Sequence, residues 1–93
     1  MIKRVENFEI RPGVRPFSES ISRIRDRAAV AKILIRVGEG VIELKIDFGP
    51  GYRAYIGLRG DGLIILLCAG DKASQDADIS RAIGYWREYR RSQ

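Results

Sequence analysis

The chain has 93 residues, with 17 Lys+Arg against 12 Asp+Glu, no histidine, one cysteine and 45% hydrophobic residues. That length fits one domain spanning residues 1–93, and the balance of apolar and charged residues is that of a globular chain rather than a disordered one. Without histidine every imidazole mechanism is excluded, and one cysteine makes neither an internal disulfide nor a zinc cluster, a usage that suits a reducing cytosol.

The first ten residues, MIKRVENFEI, lack the apolar core of a secretory leader, and no run of about 18 apolar residues follows. The expectation is therefore a cytoplasmic protein without a membrane span. Residues 2–6 (IKRVE) read as a short first strand, and Asn7 to Pro16, with Pro12 and Gly13, as an irregular connection. Ser18 is a good N-cap, with Glu19 in the first turn. From there Ile21, Ile24, Ala28, Ala31 and Ile35 recur at helical spacing, which predicts a helix over 18–34 with Arg23, Arg27 and Asp26 on its polar side. Residues 1–36 hold nine basic and four acidic residues, whereas 37–93 hold eight of each, so the basic half favours a polyanion or an acidic partner.

After Gly40 the period becomes two. Ile42, Leu44 and Ile46 alternate with Glu43, Lys45 and Asp47, the pattern of a half-buried strand over 41–47. Gly49-Pro50-Gly51 is a turn, and 52–58 alternates again, with Tyr52, Ala54 and Ile56 on one face and Arg53 and Tyr55 on the other. A second turn at Gly60-Asp61-Gly62 leads to LIILLCA at 63–69, expected to be the central, most buried strand. Ser74 or Asp76 can cap a closing helix, whose Ile79, Ala82, Ile83, Trp86 and Tyr89 form a core stripe while Arg87, Arg90 and Arg91 suit its C-terminal dipole. The predicted class is α+β: an antiparallel sheet made of a short N-terminal strand and a three-stranded meander, with one N-terminal and one C-terminal helix.

Pairing of strands 41–47 and 52–58 across their turn would display Glu43, Lys45, Arg53 and Tyr55 on one face, with Lys72 near its end. Cations and a phenol on an open sheet surface can hold a bent phosphodiester and neutralise charge that builds on it during in-line attack by an RNA 2′-hydroxyl. With no histidine, Glu43, Lys45 or Tyr55 would have to act as base or acid. The plainer readings are a cross-strand ion pair of Arg53 with Glu43 or Asp47, and one of Tyr52 and Tyr55 packed beneath a helix. Cys68 in an apolar strand reads as a small buried hydrophobe. Gly38-Glu39-Gly40 opens a strand rather than a helix and is no phosphate loop.

VIELKIDFGPGYRAYI (41–56) followed by LIILLCAGDKASQDADISRA (63–82) closely resembles the RelE/ParE toxin superfamily, in particular its HigB-like addiction module killer branch. The resemblance implies a RelE-like fold and the toxin of a type II toxin–antitoxin pair. Such a toxin is either a ribosome-dependent endoribonuclease cutting mRNA or, in the ParE manner, a gyrase inhibitor. It also implies a cognate antitoxin with a helix-turn-helix domain, through which the pair reaches operator DNA, and no cofactor or metal. Carried over by position, Arg53 matches the phosphate-binding arginine, Lys72 the basic position after the next strand and Lys45 a strand cation. Tyr55 would position the nucleotide, and Arg23 and Arg27 join Lys45, Arg53 and Lys72 as RNA contacts. The second arginine and later tyrosine of the family pattern have no counterpart, since Ala73 and Ile79 stand there. Most of a second helix is also missing between Ile33 and Gly38, so apolar area should be left for a homodimer, a swapped assembly or the antitoxin to cover.

Overall fold

The computed structural model of the chain describes residues 4–17, 31–46, 51–60 and 62–92. Five strands form one sheet: β1 (Arg4–Asn7), β2 (Ala31–Gly38), β3 (Val41–Ile46), β4 (Tyr52–Arg59) and β5 (Leu63–Gly70). A short 3₁₀ turn (Lys72–Ser74) then leads into helix α1 (Gln75–Arg91). The strand order is β1-β5-β4-β3-β2, with β1 parallel to β5 and every other pair antiparallel. The class is thus α+β, as expected, but on a mixed sheet.

The meander falls where its alternation and glycines predict. Gly51 (φ +84°), Gly60 (φ +60°) and Gly62 (φ +135°) occupy the left-handed region that the turns on either side of β4 require. The centre of the sheet, however, is β4 rather than the apolar run of β5, and five consecutive β4 residues, Arg53 to Gly57, are buried.

The end of the predicted 18–34 helix is corrected. Residues 31–38 are a strand that pairs with β3, with Leu34 opposite Leu44 and Arg36 opposite Ile42. Ile33, Ile35 and Val37 are β-branched and alternate, which favours extended backbone over helix, and the turn at Gly38-Glu39-Gly40 makes β2 and β3 a hairpin. The rest of that helix, including Arg23 and Arg27, lies outside the described residues.

The core fills the space between the sheet and α1. Phe8, Val41, Tyr55, Ile65, Leu67, Cys68, Ala82 and Trp86 form one buried cluster, with Ile79, Ile83 and Tyr89 of the predicted helical stripe packed against it. Trp86 lies on Gly57 so closely that a Cβ there would penetrate its ring, and its indole nitrogen faces Gly40. Phe8 stacks on Tyr85 with 5.0 Å between ring centroids. Ala54, Ile56 and Ala69, on the opposite face, are buried as well. Among the described residues no helix is long and apolar enough to cross a membrane.

Candidate nucleic-acid interface

Register decides which side chains meet. In the β3–β4 pair Glu43 stands opposite Tyr55 and Lys45 opposite Arg53, so all four share a face, as the alternation predicts. In the β4–β5 pair Arg53 stands opposite Gly70, and Lys72 follows two residues later in the 3₁₀ turn. Lys45, Arg53 and Lys72 are therefore gathered at one end of the sheet. Lys45 is half-buried and Lys72 exposed, and neither has an ion-pair partner among the described residues.

That face is not open. The expectation of an exposed Arg53 and Tyr55 is corrected, because the first turn of α1 lies over them. Tyr55 is 0% exposed and Arg53 7%. The Tyr55 hydroxyl donates to Glu43 Oε2 at 2.9 Å, and Gln75 Nε2, from the first residue of α1, donates to the same oxygen at 2.9 Å. Arg53 Nε lies 3.7 Å from it, an ion pair beyond hydrogen-bond reach. Arg53 Nη1 donates to the Gly51 carbonyl at 3.3 Å, while Nε is buried without a hydrogen-bond acceptor. Burial first, then the hydrogen bond to Glu43 and its charge, pushes the Tyr55 phenol far above its usual range. Tyr55 is thus the tyrosine beneath the helix, a core residue that keeps its phenolic proton and donates it in a hydrogen bond to Glu43.

A second polar cluster, centred on the buried Asp78, continues the layer along α1. Asp71 caps the 3₁₀ turn through the Ser74 backbone N–H, and the Ser74 hydroxyl donates to Asp78 Oδ2 at 2.5 Å. Arg81 Nη2 donates to the other Asp78 oxygen at 2.9 Å. Gly70 makes this possible, since a Cβ there would fall on the Asp78 carboxylate and within 2.7 Å of Ser74 Oγ. The Cys68 thiol donates to the Asp78 carbonyl, and burial pushes its pKa up to about 12, so it is an inert hydrophobe as predicted.

The sequence reading did not find Gln75. It lies 32 residues from Glu43, and only the docking of α1 brings the two together. It also treated Arg87, Arg90 and Arg91 as dipole partners only. In the fold they meet Arg59 and Glu39 at the far end of the sheet.

No family model matches the chain, and no solved structure does. An uncharacterized protein of Haemophilus influenzae is 39% identical in an alignment 80 positions long that spans 71% of this chain and 81% of that protein. The chain belongs to the same family as that protein.

Proposed function

We propose that this chain is the toxin of a type II toxin–antitoxin pair of the RelE/ParE superfamily, a HigB-like killer protein that cleaves mRNA on the ribosome. The observation that carries the reading is the set of three cations at one sheet end: Lys45 and Lys72 without acidic partners among the described residues, and a buried Arg53 whose Nε lacks an acceptor. A buried donor without an acceptor is costly, and a phosphate oxygen is a ligand that this end of the sheet suits. The chemistry available is electrostatic. The RNA's own 2′-hydroxyl attacks the phosphorus and forms a 2′,3′-cyclic phosphate as the P–O5′ bond breaks; its proton passes to water, the leaving 5′-oxygen takes one from water, and the cations neutralise the charge that grows on the phosphate in between. Tyr55 and Glu43 serve by holding Arg53 in place. The partners of this reading are mRNA and the ribosome, a helix-turn-helix antitoxin that also brings the pair to operator DNA, and a second copy of the chain.

The test uses Lys45 and Lys72, which make no ion pair among the described residues, so that their loss leaves the fold intact. Expression of the wild type arrests growth and yields cut transcripts, co-expression of the antitoxin from the neighbouring gene relieves the arrest, and Lys45→Ala with Lys72→Ala weakens both effects at least tenfold. Wild-type expression without arrest, or a double variant as active as the wild type, removes the reading.

One observation favours a second reading. The concealment of Arg53 and Tyr55 beneath α1 suits a non-catalytic binding module, either a gyrase inhibitor of the ParE type or a decayed toxin that only binds antitoxin and operator DNA. Arrest with intact transcripts and inhibited gyrase supercoiling would select the first. Antitoxin binding without arrest would select the second.

A further inference from the structure

At the end of the sheet opposite Lys45 and Lys72, β4 finishes at Arg59, about 20 Å along the strand from Arg53. There the last turns of α1 meet the Gly38-Glu39-Gly40 turn around a cleft of about 490 Å³ lined by Glu39, Gly40, Leu58, Arg59, Trp86 and Arg90. A second depression, lined by Glu39, Arg87, Arg90 and Arg91, adjoins it. Four arginines thus surround one carboxylate.

Two details make this more than a solvated helix end. The first is a planar stack. Trp86 and Tyr89 lie parallel, 5.5 Å between centroids at 5°, and the Arg59 guanidinium sits 5.9 Å above the Tyr89 ring and donates to its hydroxyl. The second is Glu39. It holds a left-handed φ of +53°, unusual for a residue with a side chain. Its two oxygens accept from Nε and Nη2 of Arg87, filling the fork that a phosphate takes when bound bidentately. The pair is exposed, with side chains 59% and 40% accessible, so an outside anion can displace the carboxylate at little cost.

We infer that this arginine cleft is a second nucleic-acid contact, binding a phosphate of single-stranded RNA between Arg87, Arg90 and Arg91 with a base extending the Arg59–Tyr89–Trp86 stack, and that Glu39 occupies the anion position in the free protein. RNA is preferred over an acidic peptide because the stack offers planar faces, which nucleobases use and acidic side chains do not. The inference rests on the RNA-directed reading for its choice of ligand, but its test does not depend on cleavage.

Purified protein is titrated into a fluorescein-labelled single-stranded oligo-uridine, and anisotropy is followed across salt concentrations. Each phosphate neutralised on a single strand is worth about 0.7 in the slope of log affinity against log salt, so Arg90→Gln with Arg91→Gln, which empties this one phosphate contact, lowers that slope by about 0.7. Glu39→Gln tightens binding severalfold at fixed salt by freeing Arg87. Arg15→Gln, which removes a charge paired with Glu9 away from the cleft, leaves the slope unchanged. An unchanged slope in the double variant, or Glu39→Gln binding no tighter than wild type, overturns the assignment. So does polyglutamate that binds more tightly than RNA and depends on Arg90, which would mark an acidic protein site instead. Arrest that persists while RNA binding ignores Arg90 and Arg91 removes this cleft and leaves the toxin reading standing. RNA binding that depends on them without arrest does the reverse.

Discussion

Replacing Arg53 by methionine keeps the side-chain stem and removes the charge, which leaves Glu43 buried at 1% exposure with hydrogen bonds from Tyr55 and Gln75 but no cation. At 3.7 Å the attraction between the two charges is about 4.5 kcal/mol at an effective dielectric of about 20. Removing one partner of a buried pair costs about 3–5 kcal/mol. A 93-residue domain has roughly 5–14 kcal/mol of stability, so the variant should fold but lie close to its threshold. Urea unfolding followed by Trp86 fluorescence should show the midpoint falling by about 2–3 M, for a slope of about 1.5 kcal/mol per molar. Glu43→Gln removes the stranded charge while keeping an oxygen for Tyr55, so Arg53→Met in that background should cost at least about 2 kcal/mol less than in the wild type. Costs that agree in the two backgrounds within about 0.5 kcal/mol would show the residues to be uncoupled. The locking of Arg53 beneath the helix would then be refuted.

Two further outcomes follow from the packing of α1. Gly57→Ala places a methyl 2.5 Å from Trp86 Cζ3 and 2.7 Å from Cδ2, a rigid ring that must move, and overpacking of this kind costs about 1–3 kcal/mol, or roughly 5–20 °C in melting temperature. Gly84→Ala, with nothing within 4 Å of the new methyl on an exposed part of α1, should instead stabilise by about 0.5–1 kcal/mol. Calorimetry giving both the same sign would refute the placement of Trp86. For Cys68, whose pKa is pushed up from 9 to about 12 by burial, the folded state favours the neutral thiol. Its contribution is fully present below pH 9 and is lost as pH rises from 9 towards 12, at up to about 1.4 kcal/mol per unit. Tyr55 acts in the same direction from pH 10 upward. Cys68→Ala should flatten the alkaline arm of the stability curve, and a thiol reagent should label Cys68 no faster than the protein unfolds globally. Faster labelling would show the thiol to be accessible in the fold.

The meander was legible because two signals agreed there: alternation of period two in 41–46 and 52–58, and glycines where the backbone must turn. Residues 31–34 were misread as the end of a helix because both templates fit this stretch. Ile24, Ala28, Ala31 and Ile35 continue a helical stripe, while Ile33, Ile35 and Val37 alternate as a strand, and hydrogen bonding to β3 decides the matter. The grouping of Glu43, Lys45, Arg53 and Tyr55 was legible for the same reason as the strands. Its burial was not, because polar side chains in a strand usually mean solvent. Here Glu43, Arg53 and Tyr55 pair with one another and Glu43 with Gln75, a partner that no local pattern reveals. The arginine cleft needed the fold for a similar reason, since Glu39 and Arg87 are 48 residues apart.

The parallel edge between β1 and β5 has a bearing on how the chain assembles. Arg4 must find Leu63 across most of the polypeptide, whereas β3, β4 and β5 join neighbours through short turns. Closing so long a loop carries an entropic penalty that the local hairpins avoid, so the first strand docks last and detaches first. Amide exchange should therefore be fastest at the N-terminal edge, and a nascent chain can complete its hairpins before that seam zips shut.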